Sequence, residues 1–421
     1  MPPTSVIRAA RGVRDILPAE RARWRQVEER AHHCAARHGF EEIETPIIES
    51  AMLIERGVGE SSDAGGKELY RLQPMTEASV PLVLRPEATA GVVRAYHEGH
   101  LGAGGVPVRL YSLGSMFRHD RPQAGRYRQF HQFNVEVLGE GSGAIDADLI
   151  ELGWEWLAAV GLEGVGLELN SIGDESCRPA YLDLLRAYYR PLQDQLHPDC
   201  RRRLEESPLR LLDCKEAGCV ALKARAPRIT DHLCADCARS LAEVRELLQG
   251  AGVPHRVNPY LVRGLDYYTR TVFEFQRDND EGAQSALGGG GRYDGLSAAL
   301  GFADTPGSGF AMGLERIIAN LPGELGGEPR PPLDLLVLIE EGVVSSAGAE
   351  VARRARQRVA AAADASPRSL KAKMRSASRA GVRWVALIAA GDVEGRRLRL
   401  RDMVSGEQRE LDWDQLPEAL G

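Results

Sequence analysis

The sequence "LVRGLDYYTRTVFEF", from Leu261 to Phe275, joins a strand pattern to an unusual group of polar side chains. Its second half alternates and is rich in β-branched and aromatic residues, which is typical of a β-strand. Arg263 and Tyr268 differ in parity, so they converge only if the chain turns between them. Gly264 and Asp266 are turn-forming residues. The pattern predicts a rigid strand that presents a cation and phenols to a ligand, or else a polar surface strand.

Composition places the chain among globular proteins. Its 421 residues predict two or three domains of the usual ~100 to 200 residues each. Apolar residues make up 43% and charged residues 27%, and no window approaches the ~18 apolar residues of a membrane span. The start, "MPPTSVIRAARGVRD", has no apolar signal core, so we expect a cytoplasmic protein without a membrane partner. Seven cysteines in such a chain favour reduced thiols over a disulfide framework.

Charge is unevenly distributed along the chain. The net charge is -7, yet the segment from Arg353 to Arg383 holds ten Lys or Arg residues against one acid, Asp364. A local surface of this kind attracts phosphate backbones even when the whole protein is acidic. The alternative is a solvated helix face.

The distribution of proline and glycine and the periodicity of apolar residues predict the domain boundaries. Proline and glycine are dense in "PGELGGEPRPP", which predicts a linker at 322–332 between an N-terminal part, 1–325, and a C-terminal domain, 333–421. Within the first part, the segment of about 174–252 has a helical, strand-poor pattern and is interpreted as an insertion.

The C-terminal domain alternates strand and helix patterns. "LDLLVLI" predicts a strand, followed by a basic helix from about Gly348 to Ala363 and a second helix from about Ser369. "WVALIAA" and "RRLRLRDM" predict further strands. This alternation indicates a small α/β domain.

One strand and the loop before it carry many polar residues. In "RYRQFHQFNVEVLG" a period of two places Gln132, Asn134 and Glu136 on one face. Such a face is often merely solvated. The preceding loop, in "MFRHDRPQAGRYRQ", contains four arginines: Arg118, Arg121, Arg126 and Arg128. Guanidinium groups bind phosphates bidentately, so this loop is a candidate phosphate clamp.

Three further segments have features of a ligand site. In "LRPEATAGVVRAY", Glu87 lies just before a helix that begins near Thr89, although capping alone would explain a carboxylate there. "ALGGGGRYDGL" lacks both common nucleotide-binding glycine patterns, but its glycines permit close approach of the backbone to a flat ligand. "GFAMGLERI" leads into a helix that carries Arg316.

Taken together, these segments resemble the class II aminoacyl-tRNA synthetases and, in detail, the histidyl-tRNA synthetase family. The class features are a strand ending in a proline, Pro46 in "FEEIETPIIE", then Arg118 in its strand-loop-strand and Arg316 in "GLER". The histidine-specific features are "LVRGLDYYTRTVFE" and "GGGRYDGL". The resemblance implies an α+β fold: an antiparallel sheet with flanking helices, a helical insertion and a C-terminal α/β anticodon-binding domain.

The resemblance also implies a function. Family members ligate L-histidine to tRNA(His) through a histidyl-adenylate, using ATP with Mg²⁺, and are homodimers whose interface includes the segment around Pro46. One alternative is a regulatory paralogue of histidine biosynthesis, which would share the fold but loses the C-terminal domain and parts of the motifs. A plain RNA-binding protein is a second alternative, although it would have no use for paired groups that grip an imidazole.

The family pattern assigns roles to particular residues. Arg118 and Arg263 would hold the α-phosphate as the catalytic pair, with Arg126 and Arg316 as further ATP-binding residues and Arg316 at the γ-phosphate. Glu136 and Tyr268 would grip the imidazole. The remaining residues of the histidine site would be Glu87 for the α-amino group, with Thr89, Gln132 and Tyr267. Arg121 is a candidate for the tRNA acceptor end. No side chain is marked as a general base for the transfer step.

The sequence leaves two points open. Cys214, Cys219, Cys234 and Cys237, in "CKEAGC" and "CADC", resemble a four-thiolate zinc spacing, but only the second pair has the preferred C-x-x-C spacing. They are interpreted either as a structural zinc site or as reduced thiols, and no metal is assigned to the active site. In the C-terminal domain, a strand expected between the two helices is not evident in "AAAADASPRSLK".

Overall fold

The structure is a computed structural model that describes residues 7–59, 67–73, 76, 80–123, 125–277, 286–323 and 333–421. The chain divides into two compact units, Met1–Leu325 and Gly326–Gly421. Most of the linker predicted at 322–332 lies outside the described residues. None of the described helices is long and apolar enough to cross a membrane.

The first unit is built around one large sheet. Its strands are β1 (Glu41–Glu42), β2 (Ile48–Ser50), β3 (Leu82–Leu84), β4 (Val108–Phe117), β5 (Gln129–Leu138), β6 (Val165–Ser171), β7 (Arg256–Val257), β8 (Thr269–Arg277), β9 (Ala286–Arg292) and β10 (Gly307–Gly313). Eight of them form a sheet in the order β1-β4-β5-β10-β9-β8-β6-β7, while β2 and β3 pair separately. All neighbours in the large sheet are antiparallel except the short edge pairs β1–β4 and β6–β7. The predicted antiparallel sheet is confirmed.

Helices cover the sheet and fill its connections. They are α1 (Pro18–Arg37), α2 (Ala51–Val58), α3 (Thr89–Glu98), α4 (Gly143–Ala159), α5 (Arg178–Tyr189), α6 (Pro198–Glu206), α7 (Ala217–Lys223), α8 (Ala235–Gly250), α9 (Leu296–Ala299) and α10 (Leu314–Asn320). Short 3₁₀ helices lie at Leu101–Gly104, Arg190–Gln195, Pro208–Leu211 and Ile229–Asp231.

The alternation of β5 decides which side of the sheet is apolar. Phe133, Val135 and Val137 are fully buried in one core with Trp24 of α1 and Trp156 of α4. The rings of Phe133 and Trp156 are 4.9 Å apart, centroid to centroid, in an edge-to-face contact. Burial of each of these side chains stabilises the fold by roughly 1.5–3 kcal/mol. The polar residues of β5 consequently lie on its opposite face.

The glycines of β9 leave room for the backbones of the neighbouring strands. A Cβ atom at Gly290 would lie 1.9 Å from the carbonyl oxygen of Gly309 on β10, and one at Gly288 would lie 2.5 Å from that of Ala311. Close approach of protein backbone thus already requires glycine here. Approach to a flat ligand, the sequence-based interpretation, stays a prediction.

The connection between β6 and β7 is the helical segment. Residues 174–252, which the structure describes throughout, contain α5 to α8 and no strand. The four cysteines whose spacing resembled a zinc quartet do not lie together. Among the described residues, Cys234 and Cys237 group with Asp174 and Cys177, whereas Cys214 and Cys219 group with Cys200. Sequence proximity was misleading because the packing of the helices brings in ligands from outside the two motifs.

The second unit is a five-stranded sheet with helices. Its elements are β11 (Leu335–Ile339), α11 (Ser345–Ala355), β12 (Ala361–Asp364), α12 (Leu370–Arg379), β13 (Trp384–Ile388), β14 (Arg397–Asp402), β15 (Gln408–Asp412) and α13 (Leu416–Ala419), with 3₁₀ helices at Ala390–Asp392 and Trp413–Gln415. The strand order is β12-β11-β13-β14-β15. β11 is parallel to both of its neighbours, while β14 is antiparallel to both β13 and β15.

Two secondary-structure expectations for this unit were wrong. The helix predicted to reach Ala363 ends at Ala355, and Ala361–Asp364 form the strand that the sequence did not reveal. Alanine favours helix, so the local pattern pointed the wrong way. Parallel pairing with β11 overrides that preference, as tertiary context often does for short edge strands. The strand β15 was not anticipated either.

Candidate active site

A cavity of about 420 Å³ lies on the polar face of the large sheet. Nine of the residues singled out in the sequence line it: Glu87, Thr89, Arg118, Arg126, Gln132, Arg263, Tyr267, Tyr268 and Arg316. Glu136 lies behind this lining, in contact with Thr89. Arg121 is exposed and does not line the cavity. The structure therefore brings together all but one of the predicted site residues.

The cavity is rich in arginine side chains. Arg118, Arg126, Arg263 and Arg316 all line it. Burial, and then the positive charge of Arg126, lower the pKa of Arg316. Arg118 is fixed by a hydrogen bond from its Nε to the carbonyl oxygen of Pro86 at 2.9 Å, and its guanidinium lies 5.2 Å from the ring centroid of Phe130. Several guanidinium groups that lie close enough to repel one another form a binding site for a polyanion.

Arg263 is held so that part of its guanidinium faces the cavity. Its Nη1 forms a salt bridge with Glu274 on β8. Its Nε is buried and has no hydrogen-bond partner among the described residues. A buried donor without a partner is costly, so a ligand acceptor at this position would stabilise it.

Two buried polar acceptors also line the cavity. Gln132 is 8% exposed, and its Oε1 has no hydrogen-bond partner in the described part of the chain. Glu87 is 4% exposed and accepts the backbone N–H groups of Thr89 at 2.9 Å and Ala90 at 3.0 Å. Glu87 therefore does cap α3, as the plainer interpretation held. A carboxylate has about four lone-pair positions, so it can also accept a donor from the cavity side.

Glu136 is the most perturbed acid of the site. Its carboxylate accepts the hydroxyl of Thr89 at 2.7 Å and that of Tyr293 at 2.5 Å, and it is 2% exposed. Burial raises its pKa to about 8. A Cβ at Gly309 on β10 would lie 1.8 Å from its Oε2, so glycine is required beside it. The polar face of β5 is consequently buried. The alternative interpretation, a merely solvated face, is therefore wrong.

Three tyrosines surround this carboxylate. Tyr267 lies with its ring centroid 4.7 Å from that of Tyr268 and 5.7 Å from that of Tyr293. Burial raises the pKa of each phenol, which keeps the hydroxyl groups protonated and able to donate. The predicted turn is present, because the chain bends at 264–267 before β8 begins at Thr269. That bend brings Arg263 and Tyr268 into one cavity.

The sequence did not assign Tyr293, Glu274 or Glu315 to the site. Tyr293 follows the glycine strand but bonds to Glu136, 157 positions away, so no local pattern could reveal the contact. Glu274 lay within the opening motif, and its salt bridge with Arg263 was a possible inference from charge pairing. Glu315 accepts the backbone N–H of His131 at 3.0 Å and is 2.9 Å from His131 Nδ1, which joins α10 to β5.

The arrangement can bind two chemically different groups side by side. Its guanidinium groups suit a polyphosphate, while its carboxylates and phenols suit a small ligand with several hydrogen-bond donors. A reaction that joins such a ligand to a phosphorus atom would gather negative charge beside fixed cations.

Comparisons with known proteins agree with this geometry. The family model described as "Histidyl-tRNA synthetase" matches residues 12–317, and that described as "Anticodon binding domain" matches residues 336–421. A histidine–tRNA ligase of Desulfitobacterium hafniense is 42% identical over 417 residues, covering 98% of this chain and 97% of the relative. One from Moorella thermoacetica is 44% identical over 405 residues, covering 95% of each chain. The crystal structure of apo S. aureus histidyl-tRNA synthetase matches with a TM-score of 0.80 at 31% identity, over 99% of this chain and all of that one, 100%.

Proposed function

The chain belongs to the histidyl-tRNA synthetase family, and from that membership we propose that it ligates L-histidine to tRNA(His) with ATP through a histidyl-adenylate. The observation that supports this most is that one cavity is lined by both arginines and carboxylates. Adenylate formation requires both, because the amino acid carboxylate must meet the α-phosphate of ATP. The cytoplasm, where tRNA is charged, is the proposed location.

We assign the arginines of the cavity to ATP. Attack on the α-phosphate increases negative charge at phosphorus, and fixed cations stabilise that charge more in the transition state than in the ground state. Arg118 and Arg263 would hold the α-phosphate, with Arg126 and Arg316 on the departing pyrophosphate. The described residues around the cavity contain no group of three or more close metal ligands. We propose that Mg²⁺ is bound to the phosphates of ATP when the nucleotide enters the cavity, so that the ion is part of the substrate.

We assign Glu87, Glu136 and the neighbouring tyrosines to histidine. Glu136 and Tyr268 would take the imidazole, since a carboxyl and a phenol together can satisfy both ring nitrogens. Glu87 would meet the α-ammonium group, with Thr89, Gln132 and Tyr267 beside it. The unpartnered Oε1 of Gln132 supports this assignment, because a donor from the amino acid would satisfy it.

We assign tRNA contacts to two basic regions. Arg121 is exposed in the loop before β5 and is proposed to meet the acceptor end. The basic segment from Arg353 to Arg383 covers the end of α11, β12 and α12 of the second unit, and its side chains are proposed to contact the anticodon arm through phosphates. A regulatory paralogue is not favoured, because residues 336–421 match the anticodon-binding model.

A homodimer is proposed from the strand pair β2–β3. Register places Ile48 opposite Leu84 and Ser50 opposite Leu82, so these residues share one face. Ile48 is 50% and Leu82 42% exposed on that face, and Met52 nearby is 56% exposed. Pro46 lies just before β2. Clustered exposed apolar side chains of this kind are typical of a protein interface.

Substitutions on this apolar face are expected to produce monomers. An Ile48→Asp, Leu82→Asp double variant should run as a monomer in light scattering at concentrations where the wild type is dimeric, since a buried unpaired charge costs several kcal/mol. An exposed apolar residue elsewhere, Val404→Asp, serves as the matched control because Val404 is 85% exposed in the second unit. A double variant that stays dimeric would exclude this interface.

The proposed function is tested by charging. Purified chain with ATP, Mg²⁺ and histidine should acylate a tRNA(His) transcript and leave a tRNA of another specificity uncharged. Histidine-dependent activation without transfer would confine the proposal to its first step. Absence of both reactions from folded protein would refute it.

A further inference from the structure

The helical segment between β6 and β7 contains a second chemical centre, away from the cavity. Asp174, Cys177, Cys234 and Cys237 place one ligand atom each within 4.8 Å of the others. We propose that these four residues bind one Zn²⁺ ion in a tetrahedral structural site. The set differs from the quartet that the sequence suggested, since half of its members come from outside "CKEAGC" and "CADC".

The spacing of the ligands is that of paired metal-binding turns. Asp174 and Cys177 are three residues apart in the turn between β6 and α5, and Cys234 and Cys237 are three apart at the start of α8. Two pairs with two intervening residues are the usual arrangement of structural zinc sites. Cys234 is the N-cap residue of α8, so the helix start fixes its side chain.

The distances between ligand atoms fit a tetrahedron. Cys177 Sγ is 3.8 Å from Cys237 Sγ. Asp174 Oδ1 is 3.7 Å from Cys177 Sγ and 3.8 Å from Cys234 Sγ. Ligands about 2.3 Å from a tetrahedral centre are separated by about 3.8 Å, so little movement is needed to admit the ion.

Neighbouring groups hold the ligands in this orientation. The guanidinium of Arg270 on β8 binds Asp174 Oδ2 through two nitrogens at 3.2 and 3.3 Å, which leaves Oδ1 to face the thiols. The backbone N–H of Cys237 donates to Cys234 Sγ at 3.5 Å. A Cβ at Gly173 would lie 2.8 Å from Cys177 Sγ, and the φ of Gly173 is +68°. Outer contacts of this kind orient metal ligands.

The surrounding charge is also suitable. Three thiolates and one carboxylate around Zn²⁺ give a net charge of about -2, which two nearby cations would balance. Arg270 supplies one of them. Arg178 supplies the other next to Cys177, where its guanidinium donates to the carbonyl oxygens of Ile172 at 3.2 Å and Gly173 at 2.8 Å.

The ion would join the helical segment to the catalytic sheet. Asp174 follows β6, the two later cysteines begin α8, and Arg270 lies on β8 two residues after Tyr268. The backbone of Arg270 also pairs with Ile172 and Gly173, at 2.8 and 2.9 Å. Zinc at this position would fix both ends of the insertion to the strand that follows the site loop.

The test is metal content of the full chain, purified without chelators. Cys177→Ala and Cys237→Ala should each contain about one zinc ion fewer per chain than wild type, by mass spectrometry of the metal. Cys34→Ala, a buried cysteine on α1 outside both cysteine groups, should retain the wild-type content. Cys200→Ala controls for metal held by the separate group of Cys200, Cys214 and Cys219.

Cobalt substitution distinguishes a metal ligand from a residue that merely supports folding. Co²⁺ in the wild type should give thiolate-to-cobalt charge transfer, and Asp174→Cys should increase that absorption by about one third, as thiolate ligands rise from three to four. Unchanged zinc in Cys177→Ala and Cys237→Ala, or a wild type without zinc, would overturn the proposal. So would a thiol titration of denatured, unreduced protein that finds a disulfide in place of two of the seven free thiols.

Discussion

An Arg263→Ala variant is expected to lose histidine-dependent ATP–pyrophosphate exchange by about 10³-fold or more. Arg263 lies in the cavity with a buried Nε that has no partner in the described part of the chain, and Glu274 fixes its Nη1. In the proposed role its charge would act where the α-phosphate becomes more negative. Removing one preorganised charge donor of this kind typically costs 10²–10⁵-fold in rate.

Two controls separate chemistry from folding in this experiment. Arg263→Lys keeps a cation beside Glu274 but loses the planar fork, so it should fold normally and remain strongly impaired. Arg256→Ala removes an arginine whose side chain is 74% exposed and which pairs with Glu168 away from the cavity, so it should exchange like the wild type. Near-normal exchange by Arg263→Ala would remove this residue from the reaction.

A Glu136→Gln variant is expected to weaken histidine binding and gain stability at alkaline pH. The weaker binding should appear as a rise of up to about 10-fold in the KM for histidine, because a hydrogen bond to a neutral buried carboxyl contributes roughly 0.5–1.5 kcal/mol. The gain follows from burial of the carboxyl, which raises its pKa from 4.5 to about 8. Binding sites commonly retain such destabilising groups for function.

The sign of the pH effect is fixed by the direction of that shift. Between pH 4.5 and about 8 the folded protein holds a proton on Glu136 that the unfolded chain has released. The wild-type free energy of unfolding therefore falls as pH rises through this window and stays low above it. Glutamine has no proton to lose, so above pH 8 the variant should be more stable by roughly 3–5 kcal/mol.

Urea denaturation at several pH values measures this difference. The exposed carboxyl of Glu246 on α8 provides the control, since Glu246→Gln should preserve the wild-type pH dependence. An unchanged pH dependence in Glu136→Gln would show that Glu136 ionises normally in the folded protein.

Some local features of the fold and of the cavity were predictable from local patterns. The period of two along β5 correctly separated Glu136 and Gln132 from the apolar residues that pack on Trp156. The turn residues before β8 correctly predicted that Arg263 and Tyr268 converge. These inferences depend only on backbone geometry within one element, which the sequence specifies directly.

Contacts between distant segments were not predictable in the same way. Tyr293 reaches Glu136 because β9, β10 and β5 are neighbours in the sheet, and no spacing in the chain encodes that order. The strand β12 is alanine-rich and is stabilised by pairing with β11. The cysteines of the insertion group according to how α5 to α8 pack, which motif spacing does not determine.

The most direct test of the central claim is ATP–pyrophosphate exchange by the full chain with each of the twenty amino acids in turn. We predict exchange with histidine alone, because few other side chains could satisfy both Glu136 and Tyr268 in their proposed roles while the ammonium group meets Glu87. Exchange driven by another amino acid, or none from protein shown to be folded, would contradict the assignment of these residues to histidine.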